Sequence, residues 1–315
     1  MRRDFDFLLL PEFSFIGFAA LVEPLRIANR FKADAYQWRT LSLDGAPVTA
    51  SNGIALHPQG ALPDTSNSKC IFAISSFNPL QHYTPELGRQ LRARMQSGAT
   101  LGAIDTGCFV LAQARLIGTT PGTLHWEAIP AFKERYPNVQ VLDEARFTIA
   151  PGLMTSAGAM ASVDLMLEVI SRDHGSELAL QVSEQLVSGW VRDRADHQRL
   201  QISARYRVHN AKVTQVISDM EQHLETPLSI EALAQRIGVT RRQLERLFQD
   251  HLATSPVHFY LGLRLHRARH LLRQSSMDII EIGLACGFGS ASAFSRAYRR
   301  QFALAPSQDR QEKLR

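Results

Sequence analysis

Leu233-Ala234-Gln235-Arg236-Ile237-Gly238-Val239 leads into Thr240-Arg241-Arg242-Gln243-Leu244-Glu245-Arg246-Leu247-Phe248, and then, past Leu252-Ala253, to Pro256. About fifty residues later the chain restates this: Ile282-Gly283-Leu284-Ala285-Cys286-Gly287-Phe288, then Ser290-Ala291-Ser292-Ala293-Phe294-Ser295-Arg296-Ala297-Tyr298, then Phe302-Ala303 and Pro306. One inserted residue, Gly289, is the break in register. Each copy reads as a short apolar helix, a glycine turn, a hydroxyl residue placed to cap, and a second helix: a helix-turn-helix. Two such units present two helices suited to successive major-groove segments of double-stranded DNA.

The second helix of each copy separates into two faces. Leu244, Leu247 and Phe248 fall on one side at helical spacing, as do Phe294, Ala297 and Tyr298 in the other copy, and these faces must pack inward. The water side keeps Arg241, Arg242, Gln243, Glu245, Arg246, and in the second copy Ser292, Ser295, Arg296, Arg299. Arginine and glutamine pair bidentately with guanine and adenine edges, while serine and further arginines suit phosphates. Arg242, Glu245 and Arg246, with Ser292 and Arg296, are the expected base readers.

Charge distribution agrees. Residues 1–199 hold 18 Lys+Arg against 20 Asp+Glu, and residues 200–315 hold 17 against 10. Basic charge gathered in the smaller C-terminal part is the footprint of a nucleic-acid binder. Residues 211–315 resemble the two-unit DNA-binding domain of the AraC/XylS transcription regulators. The linking helix over 258–274, with Arg264-Leu265, Ala268-Arg269 and Leu271-Leu272, fits that resemblance, as does Phe294-Ser295-Arg296-Ala297-Tyr298-Arg299. Two departures stand out: Ala253 and Ala303 replace a common glycine, and Asp309-Arg310 replaces a terminal tyrosine-arginine pair.

The first 190 residues alternate short apolar runs with amphipathic stretches. Strands are predicted over 6–10, 37–42, 70–75, 100–104 and 147–150, and helices over 15–30, 85–96, 107–114, 125–136, 159–172 and 177–187. Alternation of this kind specifies an α/β sandwich on a mainly parallel sheet, whose ligands bind where strands end and helices begin. The turn Ile104-Asp105-Thr106-Gly107-Cys108 is the sharpest of these, and it places Asp105 at a helix N-terminus, where the macrodipole favours a carboxylate. Domains are therefore expected at 1–190 and 211–315, joined by a charged linker over 191–210.

The elbow at Asp105 and the passage His125-Trp126-Glu127 together resemble the class I glutamine amidotransferase-like fold of PfpI-type and ThiJ-type proteins. In enzymes of that fold a cysteine occupies the elbow. Here Asp105 stands there, Cys108 follows one turn later, and Gly17 falls where related enzymes place a glutamate. An aspartate cannot replace a thiolate nucleophile, so the resemblance implies a sensor rather than an enzyme. The alternative, an amidase or hydratase-like enzyme with a DNA-binding appendage, requires Cys108 as nucleophile.

A subset of AraC-like regulators carries this amidotransferase-like domain, and the whole chain resembles them through Val22-Glu23-Pro24-Leu25-Arg26, Ser51-Asn52-Gly53 and Ser183-Glu184-Gln185. The resemblance implies a ligand-responsive activator of amine or amino-acid catabolism, sensing arginine, glycine betaine, carnitine or a similar cationic nitrogen metabolite. A carboxylate at Asp105 beside the aromatic Trp126, with His125 and Glu127, suits such a cation, and Phe13 and Phe77 are candidates from neighbouring turns. Ligand would bias the placement of the DNA-binding domains of a homodimer and so alter promoter occupancy or RNA polymerase contact. No apolar run reaches membrane-spanning length, and Met1-Arg2-Arg3-Asp4-Phe5 runs into a strand rather than a secretory leader. Cys70, Cys108 and Cys286 lack metal-ligand spacing. A reducing, cytoplasmic setting with no metal or other cofactor is expected.

Overall fold

A computed structural model describes residues 2–62, 68–187, 202–275 and 277–312. The chain divides into two compact units, Met1–Arg199 and Leu200–Arg315.

The first unit runs β1 (Arg3–Leu9), α1 (Phe15–Phe31), β2 (Tyr36–Ser42), β3 (Val48–Thr49), β4 (Ala55–Leu56), β5 (Gly60–Ala61), β6 (Cys70–Ser75), α2 (Pro85–Gln96), β7 (Thr100–Asp105), α3 (Gly107–Gln113), α4 (Ile129–Arg135), β8 (Phe147–Ala150), β9 (Leu153–Ser156), α5 (Met160–His174) and α6 (Ser176–Gln185). The main sheet has the order β5-β2-β1-β6-β7-β9-β8. Its pairings are parallel apart from the β8–β9 hairpin. Central β6 is buried at every position, because a parallel strand covered on both faces reads as a continuous apolar run rather than an alternation. Phe5, Phe7, Phe72 and Ile74 of the sheet pack with Leu21, Leu25, Met166 and Ile170 of α1 and α5 in one core, and α3 closes on β6 and β7.

Two expectations need correction. The helix read over 125–136 begins only at Ile129. Pro130 has no N–H to donate and is tolerated in a first helical turn but not deeper, so residues 125–128 form a turn. Strand β9 was not expected. Pro151-Gly152 is a turn signal, and the buried run Leu153–Ser156 that follows returns to pair antiparallel with β8.

The second unit runs α7 (Ile202–Tyr206), α8 (Ala211–Gln222), α9 (Ile230–Arg236), α10 (Arg241–Leu252), α11 (Pro256–Gln274), α12 (Ile279–Ala285), α13 (Ala291–Phe302) and α14 (Pro306–Glu312). Of the segment read as a linker, residues 191–201 lie outside the described residues. Ile202 and Tyr206 beyond them pack on the core formed by Val213, Val216, Leu233, Leu244 and Phe248, so α7 is part of this unit. Among the described residues no helix is long and apolar enough to cross a membrane.

Candidate nucleic-acid interface and ligand site

Each helix-turn-helix is assembled by local chemistry. Gly238 and Gly287 occupy the turns with φ of +66° and +72°, a backbone region that costs glycine little. Thr240 begins α10 in a capping box: its hydroxyl accepts from the Gln243 N–H, and the Gln243 side chain accepts from the Thr240 N–H at 2.8 Å. Ser290 begins α13 by accepting from the Ala293 N–H at 3.2 Å. Both helices end on a left-handed alanine, Ala253 (φ 52°) and Ala303 (φ 60°). Inward, Leu244 and Phe248 are buried in one unit, and Phe294 and Tyr298 in the other.

The outward faces differ between the copies. Arg242, Arg246, Ser292, Arg296 and Arg299 are exposed, and Glu245 and Ser295 are half-buried. Arg241 is held on both sides: its Nε donates to Glu245 at 2.9 Å and its Nη1 to Glu231 of α9 at 2.7 Å. Gln243 gives its side-chain oxygen to the capping box. The first unit therefore leaves Arg242 and Arg246 as cations without an ion pair among the described residues, and α13 contains Arg296, Arg299 and Arg300 with no acid.

In the first unit of the chain, β7 ends in a strained elbow. Asp105 has φ +60°, an uncommon conformation for a non-glycine residue that costs free energy. The turn is possible because residue 107 is glycine: a Cβ there would lie 2.3 Å from the Ala73 carbonyl oxygen. The Thr106 hydroxyl donates to the Ser76 carbonyl at 2.6 Å and ties the elbow to the loop after β6. The His125 N–H donates to the Asp105 carbonyl at 3.2 Å, which brings the 125–127 turn to the elbow. His125, Trp126 and Glu127 are all half-buried, with the His125 and Trp126 rings 5.7 Å apart.

Burial pushes the Asp105 carboxyl up to about 7; the Ser76 hydroxyl, its hydrogen-bond partner, opposes the rise and the neighbouring Glu127 charge adds to it. The expected help from the helix N-terminus is thus outweighed by desolvation. Phe77 is 42% exposed, whereas Phe13, the other candidate from a neighbouring turn, is fully buried. The Phe13 ring packs on Phe15 and Phe18 at 6.3 and 6.1 Å, so it offers no surface to a ligand. Ser76 and Thr106 went unrecognised in the sequence, since a polar residue beside a strand end gives no signal of what it will bond.

The elbow residue itself carries no thiol. The Cys108 thiol is buried, donates to the Thr123 carbonyl at 3.2 Å, and is pushed by burial up to about 12. Such a thiol is not a nucleophile at neutral pH. A Cβ on Gly17 would already sit 3.0 Å from Ser14 Oγ and 3.3 Å from Ile104 Cγ2. Among the described residues no group of three or more His, Cys, Asp or Glu could hold a metal ion.

A helix-turn-helix domain model matches residues 233–312. The chain is 54% identical over 310 residues to the HTH-type transcriptional regulator CdhR of Pseudomonas aeruginosa, an alignment covering 98% of this chain and 92% of the relative. A solved AraC family transcriptional regulator from Pseudomonas putida superposes with a TM-score of 0.53 at 28% identity, over 58% of this chain and 99% of its own. A ThiJ/PfpI family protein from Pseudomonas syringae superposes with a TM-score of 0.54 over 70% of this chain and 87% of its own. At 16% identity that last likeness is one of fold alone.

Proposed function

The chain belongs to the AraC family of helix-turn-helix transcription regulators, and from that premise we propose that it reads an operator through α10 and α13 in response to a small cationic nitrogen compound bound at Asp105. It is a DNA-binding regulator rather than an enzyme, as its relatives are. The observation that carries the DNA reading is the repeat itself: Arg246 and Arg296 occupy equivalent positions on two separate helices, and both are exposed. Arg242 and Ser292 accompany them as base readers, and Ser295 and Arg299 as phosphate contacts. Arg241 and Glu245 shape the first surface through their ion pair, and Gln243 through its bond to Thr240.

The ligand reading is supported by the strained, buried carboxylate of Asp105, the His125 backbone bond to the Asp105 carbonyl, the Glu127 charge that acts on the carboxylate, the Trp126 ring beside His125, and the exposed Phe77. A cation would compensate the charge that burial disfavours, and an aromatic face would attract a quaternary or guanidinium group. Arginine, glycine betaine, carnitine and polyamines are the compounds to try. Occupancy changes regulation only if the ligand binds one state of the protein better than another. Activation through RNA polymerase contact and assembly as a homodimer complete the proposal.

Two experiments test it. Arg246→Ala and Arg296→Ala should each cost roughly 1–3 kcal/mol and relax preference at one base position if the residue reads a base. Equal losses on selected and random DNA would make them phosphate contacts. A melting-temperature screen against the cationic compounds should give a stabilising hit that Asp105→Ala abolishes. A hit unaffected by that substitution would place the ligand elsewhere.

A further inference from the structure

The repeat that equates α10 with α13 also equates the residues that fasten each helix from behind, and here the two units part. In the first, Phe248 meets Phe259 of the following helix, ring centroids 5.7 Å apart at 75°. Fifty residues later the same two positions are Tyr298 and Asp309. An apolar contact has become a polar one. The Tyr298 hydroxyl donates to Asp309 at 2.7 Å. The same carboxylate accepts from Arg269 Nε at 2.9 Å, and from Arg273 Nε and Nη2 at 3.1 and 2.8 Å. Asp309 is 1% exposed. The Tyr298 ring is flanked by Phe294 and Phe302 at 5.5 and 4.6 Å, and the Arg269 guanidinium covers Phe302 at 4.7 Å.

Apolar packing tolerates small rotations of a helix, whereas a buried carboxylate with three donor side chains is directional, and removing one partner leaves the others uncompensated. Tyr298 lies on the buried side of α13, two residues from exposed Arg296. The bond to Tyr298 therefore fixes the rotation of α13 about its axis against α11 and α14. We propose that Asp309 is a positioning residue for DNA recognition by the second unit, setting through Tyr298 the angle at which Ser292 and Arg296 meet the groove. This rests on the reading role proposed for α13.

The test uses the full-length chain and a high-affinity site selected from a random-sequence DNA pool, with every base pair of that site then substituted singly. Asp309→Asn keeps the volume and removes the charge; Tyr298→Phe removes one hydroxyl. Each variant, still melting cooperatively by circular dichroism, should bind the selected site more weakly. Penalties for substitutions in the half read by α10 should stay unchanged, while those in the half read by α13 shrink by roughly tenfold, the scale of one good base contact. A merely structural role would lower affinity without redistributing preference between the halves. Penalties unchanged in both halves, or reduced equally in both, would overturn the proposal. If Asp309→Asn does not fold, Tyr298→Phe decides alone by the same criteria. Arg296→Ala separates the two ideas. If it leaves the second-half penalties intact, the reading role of α13 fails. If it removes them while Asp309→Asn and Tyr298→Phe do not, the positioning role alone fails.

Discussion

Replacing Asp105 with asparagine should stabilise the N-terminal unit, and by an amount that depends on pH. Burial lifts this carboxyl from 3.8 to about 7. At about 1.4 kcal/mol per pKa unit, the ionised group costs the folded state on the order of 4 kcal/mol above pH 7, a large fraction of a typical domain's stability. Below pH 3.8 both states are protonated and the cost is absent. As pH rises, the unfolded chain ionises first while the folded chain keeps its proton to about 7, so stability falls across that window and then levels off. Asparagine preserves the shape and removes the charge, so its advantage should grow from near zero at pH 4 to about 4 kcal/mol at pH 8. Urea unfolding followed by tryptophan fluorescence measures this selectively, because Trp38, Trp126 and Trp190 all precede the second unit. A gain equal at pH 5 and pH 8, or a loss at pH 8, would refute the claim that desolvation of this carboxylate dominates the elbow.

The same ionisation governs binding: a cationic ligand found in the screen should bind about tenfold more tightly at pH 8 than at pH 6, measured by titration calorimetry, and a flat profile would remove Asp105 from the contact. Gly107→Ala puts a Cβ against the Ala73 backbone oxygen rather than a yielding side chain, and should destabilise the N-terminal unit by roughly 1–3 kcal/mol in the same fluorescence assay. Ala253→Gly or Ala303→Gly should relieve left-handed strain at a helix end. Part of that gain returns to the freer unfolded chain, leaving up to about 1 kcal/mol in the helical unfolding transition followed by circular dichroism. The thiols of Cys70, Cys108 and Cys286 are all buried and should resist iodoacetamide until the chain unfolds, whereas prompt labelling of Cys108 in the native protein would contradict its packing.

What the sequence determined by itself was everything set by neighbours along the chain. Leu244 and Phe248, or Phe294 and Tyr298, lie one turn apart, so their shared buried face is a consequence of helical period. Thr240 and Ser290 cap helices that start beside them, and the alternation of strand and helix was enough to specify a mainly parallel sheet. Pro130 and the Pro151-Gly152 turn are equally local signals, and they mark the start of α4 and the β8–β9 hairpin. Tertiary structure alone decided the rest, because charge and burial depend on residues far away in sequence. Glu231 reaches Arg241 from another helix, which removes one arginine from the set of free cations. The ionisation of Asp105 is decided by the packing around it and by Glu127, against the local expectation from the helix dipole. Asp309 looks in sequence like an exposed residue near the chain's end. Only the fold surrounds it with Tyr298, Arg269 and Arg273, because a carboxylate can be buried where the tertiary structure supplies the donors it gives up in leaving water.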